Sequence, residues 1–271
     1  MPKGKNLAGK EKKIRIMIIK QKQAKTRSDL VKVVKMYILH GWTYNLSKWN
    51  PFLSLLRSKG LNPYLLPIPG LTDKINKPWN IDNYVDWLLG KIGKEKKIIL
   101  IGHSNGGRIA LNFSIKYPEK VAKLILIDSA GIYHDDIFIR LKREGFSLLA
   151  KIGKKIIPLD GARKLLYFLS REKDYRTANP IMKKTMINLI QSDKTLNLSK
   201  ITTPTTIIWG KNDSITPIFD GKLMNQQINN SKLYIIDTAK HSPQFTHQKE
   251  VVGIVIQQLN NLPASKAGLT I

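Results

Sequence analysis

The sequence contains no cysteine, which excludes disulfides, thiolate catalysis and cysteine-ligated metal sites and leaves the redox compartment open. No apolar run approaches the ~20 residues that a bilayer-spanning helix needs. Ile14 to Ile19 is too short and interrupted for a signal-peptide core, so the cytoplasm is the expectation. Acidic residues are scarce, 19 against 46 Lys and Arg, for a net charge of +27. Residues 1–35 hold twelve of those bases against Glu11 and Asp29, a net of +10, so +17 is spread over the other 236 residues. A surplus of that kind suits nucleic acid or an anionic surface. No recognition module accompanies it, however, and few aromatics interleave with the lysines as a stacking platform would require. A chain rich in Lys, Ile and Asn also reflects A/T-rich coding, and no specific nucleic-acid partner is expected. No internal repeat is visible.

What is present is enough for a sizeable folded core. A chain of 271 residues with 42% hydrophobic content fits one large α/β domain carrying an insertion. Its organising stretch is Lys97-Ile98-Ile99-Leu100-Ile101-Gly102-His103-Ser104-Asn105-Gly106-Gly107. The apolar run reads as a strand buried on both faces, and Arg108 to Phe113 begins a helical pattern. A strand that turns abruptly into a helix crowds the residue at the corner. Gly102 and Gly106 remove the side chains that would clash, leaving Ser104 strained, its hydroxyl projecting above the sheet close to the positive end of the helix. The spacing is G-x-S-x-G in a strand–turn–helix setting; it lacks both the P-loop lysine spacing and G-x-G-x-x-G.

Along the chain, residues 1–30 form a basic arm with little to bury, although Ile14 to Ile19 would suit an edge strand. Val31 to Leu39 reads as a strand ending at His40-Gly41-Trp42. Trp49 to Ser58 has the spacing of an amphipathic helix closed by Lys59-Gly60. Tyr64 to Leu66 is a short strand, and Asp82 caps a helix through Leu89. Leu124 to Ile127 is a further apolar strand leading into Asp128-Ser129-Ala130-Gly131. Strands alternating with helices, and apolar on both faces, imply a parallel sheet covered on two sides. From 132 to 198 the patterns turn helical, which predicts a lid, with a core of 31–131 and 199–271 around it. Alternation then resumes with a strand over Thr205–Gly210, a helix over Phe219–Ile228, a strand over Leu233–Ile236 and a helix over Gln248–Leu259.

A serine hydroxyl needs a base, and the base an orienting acid. Of five histidines, His241 follows the last strand, at the carboxyl edge where open α/β sheets build sites. His247 reads as surface, His134 falls in the lid, and His40 reads as a tie between loops. Two acids compete for the third role. Asp128 follows the strand beside the serine strand, whereas Asp213 follows Thr205–Gly210 and gives the chain order Ser…Asp…His, so Asp213 is preferred. The backbone N–H groups of Asn105 and Trp42 are the candidate oxyanion donors. His103, Phe146 and Leu149 are the candidate substrate contacts; no metal or cofactor is expected.

These residues resemble the α/β-hydrolase superfamily, and within it lid-bearing bacterial serine hydrolases of the carboxylesterase kind. The resemblance runs from about Met36 to Leu262. It includes His40-Gly41-Trp42, Pro69-Gly70, Trp79 through Val85, the Gly102–Gly107 elbow, Leu126 through Gly131, Trp209 through Asp213, and His241. It implies a mostly parallel sheet with a helical lid inserted after the sixth strand. It also implies Ser104 as nucleophile, Asp213 as acid, His241 as base, and Trp42 with Asn105 as oxyanion donors. The implied activity is hydrolysis of small to medium carboxylic esters through an acyl-enzyme, by a monomer or homodimer. Thr43 replaces the second glycine of the His-Gly-x-Gly loop common in relatives, which argues against bulky esters. Carbon–carbon bond hydrolysis of the meta-cleavage kind, or lactone hydrolysis, is the alternative on the same residues, although those C–C hydrolases commonly carry asparagine at the His103 position. An alternative of another class is a non-hydrolytic receptor or anionic-surface binder on this fold.

Overall fold

β1 (Met36–Leu39) opens a sheet of six parallel strands in the computed structural model, which describes residues 34–133 and 179–261. β2 (Pro63–Leu66), β3 (Ile98–His103), β4 (Val121–Ile127), β5 (Thr205–Gly210) and β6 (Ser231–Ile236) complete it in the order β2-β1-β3-β4-β5-β6. β3 and β4 lie inside the sheet and are buried at every position, as the runs Ile98–Ile101 and Leu124–Ile127 require; Lys123 is buried with them. β6, at an edge, is exposed or half-buried at every position except Ile236. The chain runs from β1 outward to β2 and then crosses back to β3 on the other side of β1. The order therefore reverses between β1 and β3, and the loops leaving their carboxyl ends diverge there. Ligand crevices in open α/β sheets form at such a point.

The two faces of the sheet bury different helices, and the twofold period of the strands sorts their side chains between them. Ile98 and Leu100 join one core with α2 (Ile81–Ile92), α3 (Asn105–Lys116), α4 (Pro180–Ser192) and α5 (Ile218–Gln227). Ile99 and Ile101 join the other, with α1 (Asn50–Ser58) and α7 (Gln248–Asn260), which follows the single turn α6 (Pro243–Thr246). Val251, Val252, Val255 and Leu259 of α7 are all buried, as their spacing predicts.

Some boundaries differ from the sequence reading. The first described strand begins at Met36 rather than Val31, and residues 1–33, with the basic arm and the Ile14–Ile19 segment, lie outside the described residues. β4, the strand before the interval 132–198, is the fourth among the described residues. Asn80, not Asp82, caps α2. The Asn80 side chain accepts the Asn83 N–H at 3.0 Å and the Asn83 side chain accepts the Asn80 N–H at 3.0 Å. That reciprocal box satisfies two donors, which Asp82 in the first turn cannot do; its charge instead complements the positive helix end.

Of the interval 132–198, residues 134–178 lie outside the described residues. Its described remainder includes α4, which packs into the first core through Met182 and Leu189. Both backbone groups of Trp79 fix it there, the N–H donating to Thr185 Oγ1 at 3.0 Å and the carbonyl accepting from Asn188 Nδ2 at 3.2 Å.

Candidate active site

Ser104 stands between β3 and α3 at φ 51° and ψ −120°, a region that costs a non-glycine residue energy and persists only where neighbours over-determine it. Here they do. Its N–H donates to the Ile127 carbonyl at 3.1 Å, and its own carbonyl accepts from Gly107 N at 2.9 Å and Ala130 N at 3.0 Å. The turn is tight enough that a Cβ at Gly102 would sit 2.6 Å from the Gly107 Cα. One at Gly106 would meet the carbonyl oxygens of Leu39 and His40. Both glycines are therefore required by close backbone approach.

The loop after β1 passes over the serine. A Cβ placed on Gly41 would lie 3.1 Å from the Ser104 Cβ. His40 anchors this loop from the interior: its Nδ1–H donates to the Gly41 carbonyl at 2.7 Å and its Nε2 accepts the Ile68 N–H at 3.1 Å. Burial lowers its pKa to about 4, so the neutral ring needed for that donor–acceptor pair is held at neutral pH. His40 thus joins the β1 and β2 loops, as its reading as a tie anticipates.

The turn after β5 presents Asp213, whose carboxylate is buried and heavily engaged. Oδ1 accepts the N–H groups of Ile215 at 2.7 Å and Thr216 at 3.1 Å; Oδ2 lies 2.7 Å from the Thr216 hydroxyl and 2.7 Å from His241 Nδ1. His241 comes from the loop after β6 and keeps part of its ring exposed. With Nδ1–H donated to Asp213, the free nitrogen of the imidazole is Nε2, the atom suited to take a proton.

His103 lies behind that imidazole. Its ring centroid is 5.0 Å from that of His241 and 6.0 Å from that of Trp49, and Nε2 is 3.2 Å from Ser242 Oγ. Burial and the neighbouring His241 hold its pKa well below the usual histidine value, so it is neutral. Its partners are interior ones. Phe146 and Leu149, the other expected substrate contacts, and His134 lie outside the described residues. His247 bonds Thr238 Oγ1 at 2.9 Å and Thr246 Oγ1 at 2.8 Å at the start of α7, apart from the Asp213–His241 pair.

Three contributors escape the sequence reading. Thr216 braces Asp213 from three residues away; the pattern Asp-x-x-Thr is the local signal, because the carboxylate accepts the backbone N–H of that same threonine. Ser242, at φ 107°, turns the chain immediately after His241. Arg108, on the first turn of α3, makes a buried two-pronged pair with Asp193, Nε to Oδ1 and Nη2 to Oδ2 at 2.8 Å each, and donates from Nη1 to Asn105 Oδ1 at 2.7 Å. It thereby joins the residue after the serine to the end of α4. Among the described residues, one group brings metal-capable atoms together: His103, Asp128 and His241, within 4.8 Å of one another. Each is already engaged within the protein, His103 with Ser242, His241 with Asp213, and Asp128 with two backbone N–H groups.

Comparison with known proteins agrees with this architecture. The family profile described as the α/β hydrolase fold matches residues 36–151. A pimeloyl-[acyl-carrier protein] methyl ester esterase of Wigglesworthia glossinidia brevipalpis is 29% identical over 241 residues, 79% of this chain and 89% of the relative. A 2-hydroxy-6-oxononadienedioate/2-hydroxy-6-oxononatrienedioate hydrolase of Pseudomonas putida is 25% identical over 235 residues, 78% of this chain and 82% of the relative. Among solved structures, a thermophilic esterase from Thermogutta terrifontis superposes with a TM-score of 0.63 at 20% identity, covering 84% of this chain and 90% of that one.

Proposed function

We propose that this chain, which has the α/β-hydrolase fold, is a serine carboxylesterase working through Ser104, His241 and Asp213. The observation that carries this reading is the 2.7 Å bond from His241 Nδ1 to a buried Asp213 carboxylate, at the same sheet edge as a serine held at positive φ. Asp213 fixes the imidazole tautomer and offsets the charge it gains. His241 Nε2 takes the proton from Ser104 Oγ as that oxygen attacks the ester carbon. The backbone N–H groups of Asn105 and Trp42 receive the oxyanion, Asn105 from the first turn of α3 and Trp42 from the loop above the serine. The imidazolium then protonates the departing alcohol, and water returns through the same base to release the acid. His103 supports His241 from behind.

Small to medium acyl groups are the proposed substrates. The methyl ester in one relative's name supports a small leaving alcohol, and the 2-hydroxy-6-oxo diacid in another's supports an acyl part of medium length. C–C bond hydrolysis is the second reading that the latter relative favours.

Substitution tests the assignment. Ser104→Ala and His241→Ala lower kcat on a p-nitrophenyl ester by about 10⁴-fold or more while thermal melting changes little. Asp213→Asn costs more than Asp128→Asn. A greater loss from Asp128→Asn would move the acid to the end of β4.

A further inference from the structure

Asp128 is fully buried at the carboxyl end of β4 and holds φ at 41°. Neither of its carboxylate oxygens is spare. Oδ1 accepts the N–H of Gly210 at 2.8 Å, and Oδ2 accepts the N–H of Ser242 at 2.9 Å. Gly210 ends β5 and begins the turn that carries Asp213, while Ser242 directly follows His241 at φ 107°. The Asp128 carbonyl oxygen also lies 3.2 Å from the Thr216 hydroxyl, which braces Asp213. One residue on a third strand therefore grips both loops that carry the proposed acid and base. We infer that Asp128 is a positioning residue, its carboxylate clamping the acid loop to the base loop so that His241 stays aligned between Asp213 and Ser104. The inference rests on the triad proposed above.

The chemistry asks for a carboxylate. Two amide donors from different loops meet different oxygens of one side chain, and a carboxylate accepts at both. Asparagine of the same shape would turn its NH₂ toward one of the amides and leave a buried donor unpaired. Three titratable groups face Asp128: His103 from β3, Asp213 from the β5 loop and His241 from the β6 loop. Burial is the largest influence and pushes its pKa up to about 7, Asp213 adding to the rise while the two amides and His241 oppose it. The clamp is thus fully ionised only above neutrality and weakens as it takes a proton.

Asp128→Asn, normalised to folded protein by near-ultraviolet circular dichroism, lowers kcat by about 10- to 100-fold through misalignment, with KM little changed. In the wild type, protonation of the buried carboxylate removes the same alignment, so kcat/KM drops by a comparable factor on the acid side, a step that Asp128→Asn lacks. An Asp128→Asn enzyme with unaltered kcat and an unaltered pH profile overturns the clamp. Ser104→Ala run alongside separates the two readings. If it remains active, the triad fails and takes the clamp with it; if it is inactive while Asp128→Asn keeps full kcat, the clamp alone fails.

Discussion

Ser104 is legible because its setting is local: two glycines, a strand before it and a helix after it spell the turn, and the packed backbone demands those glycines. The choice between Asp213 and Asp128 is harder to read, since both follow strands that end at the same edge. Only the tertiary arrangement separates them, by giving Asp213 the imidazole and Asp128 the two backbone amides. A residue far from this site shows the same dependence on context. Lys123 lies buried in β4, and burial, with Lys232 adding, lowers its pKa to about 8 from 10.5. The unfolded chain binds that proton more tightly than the folded one. The cost is therefore fully present below pH 8 and relieved as pH rises toward the unfolded value. Lys123→Met raises the melting temperature by about 2–6 °C at pH 7, and the gain over wild type shrinks toward pH 10. Scanning calorimetry at the two pH values checks this, and a gain that grows with pH would contradict it.

At the scale of elements, strands and helices follow from the periods of their apolar residues, and the errors fall at their ends. The α2 cap lies two residues before the expected one because a reciprocal Asn80–Asn83 pair outweighs a lone acidic residue. β1 begins later than its Val-rich lead suggests. What the sequence does not reveal is the joint between α3 and α4, because Arg108 and Asp193 are 85 residues apart. Both side chains are buried, at 9% and 3% exposure. Removing one partner strands the other charge in the interior, so Asp193→Ala costs about 3–5 kcal/mol in urea unfolding. The double variant Arg108→Met with Asp193→Ala recovers much of that loss, since no unpaired charge remains. An Asp193→Ala loss below about 1 kcal/mol would show that the pair does not hold α4 to the elbow.

For the molecule as a whole, strand order places the site. The order reverses between β1 and β3, and the serine, the loop above it and the Asp213–His241 pair all gather at that edge from different strands. No helix among the described residues is long and apolar enough to cross a membrane. The alternation of strands and helices is enough to anticipate this architecture, because each parallel crossover needs a covering helix. Substrate size is less legible, since it depends on residues from several elements that meet only in three dimensions. The central claim is that esters pass through an acyl group on one serine. Acid-quenching the enzyme during steady turnover of p-nitrophenyl butyrate, followed by peptide mass mapping, tests it most directly. A butyryl group on the peptide containing Ser104, absent in Ser104→Ala, is the predicted result. An enzyme that turns over the ester while carrying no acyl group, or carrying it on another residue, would contradict it.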